Sequence, residues 1–521
     1  MLFLLLVESA GCRVQAFSQD SDTLTPYPTL SSLSSLTESD PFVSQYDRLL
    51  EYALTRGFFD YPDNHRGRIA WNTSYFLDSL LNMFLYTRDT SYLDIFVRHA
   101  TAVMRVRDDH ADKTDFTGRA RPGWQTDAYY TLGQPYILMD MQGHPSLRVQ
   151  SVHISGNNHT SVRIEAEDNV RFSIEVRNDF RRSIPAVVRY EGLTMDTVES
   201  VVNAHISPRS WIRVQKIGDE PPAPGVYPLQ ETYVAVLHSE HTPGISIPFA
   251  RFAAIVHKFS LTQYQPVATQ FLHDVQESYQ DYQYLWREDE QGGYFVFDPR
   301  TPIWCAGFPV PYNALALHGR FLAWLFVATG KPEYGYRAQA LARKILAGMD
   351  IKPDGRLYMP YWYGRPFRGW LRPEDGPSHG LYIEGPPFNA SEDTSHFTLT
   401  LQFLLDAYNL GLLEERQWAY AASQTFTDVL VSEACRDKGG NLTHSLEGNG
   451  CMAGYPAGIY ARLARFQPEV WSTSWKIYRE AYSAPEYIDP DYEYGYVMLG
   501  WSWLALQHAP THVDDSGATT P

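Results

Sequence analysis

The sequence predicts a mainly α fold, an (α/α) toroid of helical hairpins with an inserted small antiparallel β module. Three observations carry that expectation. Apolar residues recur at i, i+3 and i+4 in paired runs on both sides of the chain's middle. One helix–turn–helix junction is spelled nearly twice, from Phe84 to Tyr92 and again from Phe326 to Tyr334. Between these copies, residues 145–255 change to alternation with period two.

With 521 residues, 44% hydrophobic and 20% charged, the chain can bury a large core and is not disordered by composition. Its 43 basic and 60 acidic residues leave a net charge of −17. A field of that sign works against nucleic acid or an anionic membrane and leaves a glycan or other small organic substrate as the expected partner. No uninterrupted apolar stretch approaches about 18 residues, so no membrane span is expected. Thirteen Trp and 35 Tyr suit grooves for sugars, with extra aromatic core as the alternative.

Taken in order, residues 1–16 read as a secretory signal peptide, from the apolar run after Met1 and the cleavage-like Val14-Gln15-Ala16. Glu8 and the lack of a basic start depart from that pattern. Residues 17–41 are a flexible Ser/Thr/Pro-rich lead-in. Residues 42–144 are the first part of the toroid, with a hairpin over 75–86 and 92–106. In the β module, 145–255, strands are expected at 161–167 and 170–176 around the Asp168-Asn169 turn, and at 186–190, 211–214 and 233–237. The toroid resumes over 256–508, with helices at 321–328 and 338–349 and a looser third copy from Phe397 through Tyr408 to Val429. Residues 509–521 are a disordered tail. About twelve helices fit, and hairpins of this kind bury their faces only by stacking or closing into a ring.

Four sequons, at Asn72, Asn158, Asn389 and Asn441, agree with secretion, although Asn72 could instead cap a helix. Cys435 and Cys451 bracket a Gly/Asn-rich loop and are the expected disulfide, Cys305 reads as a buried thiol, and Cys12 would leave with the leader. No metal-ligand spacing, phosphate-cradling loop, dinucleotide fingerprint, nucleophile elbow or HExxH occurs, so no metal and no cofactor are expected.

Chemistry is expected in the long stretch 358–396. Tyr361, Trp362, Tyr363, Arg365, Arg368, Trp370 and Arg372 offer rings for a sugar face and guanidiniums for an anion. His379, Glu392, Asp393 and His396 follow as proton-transfer groups. Glu392 and Asp393 have a second reading, as acids in the first turn of a helix capped by Ser391 or Thr394. His396 is equally a helix histidine. Trp71 and Asn72 at one helix mouth, Arg119 and Trp124 after the second helix, and Asn313 opening a later one complete the candidate substrate-binding set. Asp108, Asp109 and His110 read better as a solvated helix end.

On its hairpin cadence, on Trp71-Asn72-Thr73-Ser74-Tyr75, Pro311-Tyr312-Asn313 and Glu392-Asp393-Thr394-Ser395-His396, the sequence resembles the α/α-toroid carbohydrate-active superfamily. The nearest likeness is to uronate polysaccharide lyases and the helical domain of glucuronyl C5-epimerases. The resemblance covers about two thirds of the chain, at the level of architecture. It implies that Asn, His or Arg neutralises a uronate carboxylate while Tyr or His moves the C5 proton. Tyr361, Tyr363, His379, His396, Arg365, Arg368, Asn72 and Asn313 are the matching types. The inserted β module departs from relatives that carry their β domain at one end.

The leading expectation is therefore a secreted enzyme that abstracts a proton beside a uronate carboxylate. The alternatives are a glycoside hydrolase pairing Asp78 with Glu392 or Asp393, an isomerase or cyclase folding an apolar ligand in an aromatic funnel, and a non-catalytic glycan-binding protein.

Overall fold

The computed structural model describes residues 40–115, 117–126, 131–151, 157–179, 186–204, 212–233, 236–237, 241–301, 305–369, 387–436 and 441–508. The expected leader, residues 17–39 of the lead-in, and the tail lie outside these. So do Trp370, Arg372 and His379.

Fifteen α-helices are described: α1 (Pro41–Leu54), α2 (Ser74–Thr87), α3 (Ser91–Arg105), α4 (Val198–Ala204), α5 (His241–Lys258), α6 (Gln265–Tyr282), α7 (Tyr312–Thr329), α8 (Pro332–Ala347), α9 (Gly364–Arg368), α10 (Thr394–Asn409), α11 (Gln417–Thr425), α12 (Glu433–Arg436), α13 (Ala457–Tyr460), α14 (Glu469–Ala481) and α15 (Tyr494–His508). Six of them form an inner ring in the order α2, α5, α7, α10, α13, α15, and α15 packs back against α2. The partners α3, α6, α8, α11, α14 and α1 form the outer layer, giving a closed (α/α) toroid with α1 pairing the last inner helix.

Inner and outer helices differ in sequence because they differ in exposure. Every residue of α2 from Ser74 to Tyr86, and of α15 from Tyr494 to Leu506, is buried, as a helix apolar all round must be. The outer α3 and α14 bury one stripe only. The repeated junction has one structure in both copies. Arg88 and Gly330 take left-handed backbone after α2 and α7, and their N–H groups close on Phe84 O and Phe326 O. Thr87 and Thr329 cap the following turn through Asp89 N and Lys331 N.

The ring closes at Asn72. Its amide donates to Tyr61 Oη (3.0 Å) and Pro490 O (2.7 Å), and its Oδ1 accepts from Gly495 N (2.6 Å). A Cβ on residue 495 would stand 2.1 Å from Asn72 O, so only glycine admits this approach.

The axis is filled. Asp78 of α2 receives Arg251 of α5 and, at 2.8 Å, Arg320 of α7. Arg320 Nε also meets Asp406 of α10 (2.7 Å), which takes Arg462 (2.5 Å) and the Trp324 indole N–H (2.8 Å). Burial alone would raise both carboxyls, but the guanidiniums hold them below the usual range. Asp78, expected as one acid of a hydrolase pair, is committed to this network.

The β module has its own core. Strands Tyr136–Met139, Pro145–Ser151 and Ile212–Lys216 form one antiparallel sheet, and Ala186–Leu193, Phe172–Asn178, Thr160–Ala166 and Gly225–Pro228 another. Leu147, Val149, Val162, Ile164, Ile174 and Val176 pack with Val198 and Val202 of α4. The turn at Asp168 forms as expected, its Oδ1 accepting from Val170 N and Arg171 N. Both expected boundaries move. Strands start at Gln125–Thr126, inside the stretch 42–144, and helix α5 begins at His241 rather than after 255. Pro243, Gly244 and the interior Pro248, with burial on every side, remove the periodicity that would have announced α5.

Candidate functional site

Each outer helix runs towards the end of the ring where the inner helices begin, and the long connections gather there. Among the described residues, 55–73, the strands of the β module, 283–301 and 305–311, 348–369 and 387–393, 431–436 and 441–456, and 482–493 follow outer helices and lie on this face. The connections at the opposite end are short, such as 88–90 and 330–331. Functional groups on a rigid scaffold concentrate in such loops.

Glu392 and Asp393 open α10 on this face. The backbone between them is pinned: Glu392 N donates to Met359 O, Leu446 N to Glu392 O, and Thr394 N to His444 O. Asp393 itself is the N-cap, in place of the expected Ser391 or Thr394. Its Oδ1 accepts from Ser395 N (3.0 Å), Ser395 Oγ (2.6 Å) and His396 N (2.9 Å), and its Oδ2 from His396 Nδ1. Burial pushes the Asp393 carboxyl up, but these donors, His396 first, hold it well below the ordinary carboxylate range.

Glu392, one residue earlier, goes the other way. It is wholly buried, and that desolvation lifts its carboxyl to about 8 against the pull of His396. Asn313 Nδ2 of α7 lies 3.2 Å from its Oε2, and Asp393 N donates to Oε1 at 3.2 Å. Two adjacent carboxyls thus stand in opposite protonation states, one a neutral acid and one an anion bound to histidine. The His396 side chain is 43% exposed, and Tyr361 meets its ring edge-on at 5.6 Å.

The other expected residues divide between core and surface. The Tyr363 hydroxyl is buried without a hydrogen-bond partner, its ring lies on Tyr312 (4.5 Å) and under Lys344 (5.2 Å), and burial raises its ionisation well above 10. That corrects its reading as a proton-transfer tyrosine. Trp362 is core-facing too, its indole donating to Pro309 O at 2.8 Å between Phe297 and Phe388. Trp124 is 1% exposed and donates to Val103 O. Asn72 forms the ring seam, with no surface for substrate or glycan. Arg365, Arg368 and Arg119 are exposed, and Trp71 is half-buried with His241 edge-on at 5.1 Å. Arg107 pairs with Asp109 and Glu277, whereas Asp108 is buried, accepts Gln125 N at 3.0 Å and is raised by burial to about 8.

The tyrosines Tyr455 and Tyr496, which no motif signals, belong to this mouth. Tyr496 stands edge-on to both Tyr75 and Tyr455 at 4.9 Å, and its hydroxyl meets Thr398. His241, at the start of α5, is buried and pushed down to about 3. Asn64 accepts Ala70 N through Oδ1, so its Nδ2 donates to His241 Nδ1, and the proton sits on Nε2.

Cys435 and Cys451 form the expected disulfide, with Cα atoms 5.3 Å apart, and Cys305 is a buried thiol outside any disulfide. The bridged loop meets the start of α10 through the Asp393–Ser445 contact and the chain after α11 through Val431–Leu442. Glu392, Asp393 and His396 each present a donor atom within 4.8 Å of the others, as do His273, Asp274 and Glu277 on α6, so either set could hold a cation. Among the described residues no helix is long and apolar enough to cross a membrane.

No protein-family model and no curated protein matches this chain. Among solved structures it is similar to a glycoside hydrolase family 76 mannosidase from Bacteroides thetaiotaomicron VPI-5482, at 12% identity and TM-score 0.30 over 46% of this chain and 59% of that one. It is also similar to a family 76 glycoside hydrolase from a bovine Bacteroides thetaiotaomicron strain, at 11% identity and TM-score 0.29 over 73% and 98%. The chain thus spans about three fifths of the first. The assignment of the fold rests on the closed ring of paired helices and not on these likenesses.

Proposed function

We propose that this chain is a carbohydrate-active enzyme that works by acid–base catalysis at the mouth of the toroid, with glycoside hydrolysis as its reaction. The observation that supports this is the split pair: Glu392 raised to about 8 and Asp393 held low, side by side at the start of one inner helix. Glu392, protonated at neutral pH, is the acid for the glycosidic oxygen, which its wholly buried carboxyl reaches once the side chains over it move aside. Asp393 holds His396 through Nδ1 and orients the part-exposed imidazole as the base for the attacking water. Asn313 aligns the Glu392 carboxyl, and the half-buried rings of Trp71 and Tyr455 supply surface for the sugar.

Proton abstraction beside a uronate carboxylate is the second reading, favoured by the Tyr361–His396 contact, with exposed Arg365 and Arg368 on the neighbouring turn. Incubation with neutral and uronate-containing glycans separates the two. New reducing ends without absorbance in the unsaturated-uronate band support hydrolysis. Growth of that band supports the lyase, and binding without either change would leave a glycan-binding protein.

A secretory compartment is part of the same reading. It is supported by the disulfide and by the exposed sequon residues Asn158 and Asn389.

A further inference from the structure

Below the mouth, on the ring axis, a small cavity with about 10 Å³ of room for the centre of a water-sized sphere lies between the site and the buried ion network. Its walls are mostly apolar, with Leu317, Leu399 and Ile247, and its polar lining comes from Tyr75, Asp78, Arg320 and Gln402. Arg320 is 4% exposed. Its Nε is committed to Asp406 and its Nη2 to Asp78, which leaves Nη1 without an acceptor among the described residues. The Tyr75 hydroxyl, close enough to feel the Arg320 charge, likewise has no partner among them. Gln402 is 1% exposed, and its Oε1 is buried without a partner, so its Nε2 is the end that lines the cavity.

Of the other polar side chains in the lining, Asp78 and Ser74 are already engaged. Both oxygens of Asp78 are taken, by Arg251 and Arg320, and Ser74 Oγ donates back to Ala70 O. The network behind the cavity sets three guanidiniums, on Arg251, Arg320 and Arg462, against two carboxylates, an excess of one positive charge. A small space that offers an N–H of a guanidinium, a hydroxyl and an amide, beside a carboxylate whose two oxygens each already receive a guanidinium, suits a small anion.

We propose that this axial cavity is a binding site for a small monovalent anion of the halide kind, held by Arg320 Nη1, Tyr75 Oη and Gln402 Nε2. Bound there, the ion sits between inner helices α2, α7 and α10 and ties the mouth to the ion network. The site uses none of Glu392, Asp393 and His396, so it does not depend on which reaction they perform.

Thermal unfolding of the full chain, with chloride replacing sulfate at constant ionic strength, tests it. Chloride should raise Tm saturably by about 2 °C or more. Gln402→Leu should move the half-saturating concentration up by about tenfold while the chloride-free protein stays folded. Crystals grown in bromide should show an anomalous peak at hydrogen-bond distance from Arg320 Nη1. A Tm indifferent to halide together with water alone at that position overturns the proposal. So does saturation by glucuronate at concentrations where chloride has no effect, because the cavity would then belong to a substrate carboxylate.

Discussion

Asn313 and Glu392 face each other across two inner helices, with Nδ2 3.2 Å from Oε2 at the start of α7 and α10. The contact lowers the Glu392 carboxyl slightly, and burial raises it far more, so the neutral form prevails until about pH 8. The acid of the proposed reaction is therefore made by position in the ring.

Replacing Glu392 with Gln should lower kcat on the glycan substrate by about 10²–10⁴-fold. In the unaltered protein, activity that needs this proton should fall as pH rises through about 8. Asn313→Leu removes a contact that favours the anion, so it should move that limb to higher pH.

Stability carries the same signature. The carboxyl stands at about 8 in the fold against 4.5 for the free group. Its favourable contribution is complete below about pH 4.5 and is lost as pH rises to about 8. Relative to Glu392→Gln, the native protein should lose up to a few kcal/mol across that window, at about 1.4 kcal/mol per pH unit. Urea titrations of both proteins at several pH values measure it.

Tyr363→Phe deletes a hydroxyl with no partner and should leave kcat within about twofold and stability unchanged or higher by about 1 kcal/mol. His396→Ala should remove most activity. Equal large losses in both variants would return Tyr363 to the proton-transfer role and count against its burial in the core.

Asp406 receives Arg320, Arg462 and the Trp324 indole in full burial. Asp406→Ala should cost about 3–5 kcal/mol in chemical denaturation, because it leaves guanidiniums in the core without their anion.

Asn72 should be unmodified in protein from a eukaryotic secretory host, while Asn158 and Asn389 carry glycans. Peptide mass spectrometry after deglycosylation reads this directly. Occupancy at Asn72 would contradict its three hydrogen bonds at the ring seam.

Local order is legible in the sequence wherever one stretch of chain decides the outcome. The twin junctions from Phe84 and from Phe326 announce the same left-handed turn because the capping threonine and the turn geometry lie within a few residues. The Asp168 turn and the Cys435–Cys451 loop are readable for the same reason. Helix α5 starts earlier than the residue pattern predicts because a helix buried on all sides shows no amphipathic period.

By itself, the sequence determined the hairpin cadence, the period-two module, the bridged loop and the location of Glu392, Asp393 and His396 at a helix start. Only the tertiary structure decided which polar residues are free to act. Asp78 and Asn72 are spent on the axis and the seam, Tyr363 and Trp362 on packing, and Glu392 is neutral beside an ionised Asp393. Protonation and availability depend on burial and on partners from other helices, and no local run of residues encodes either.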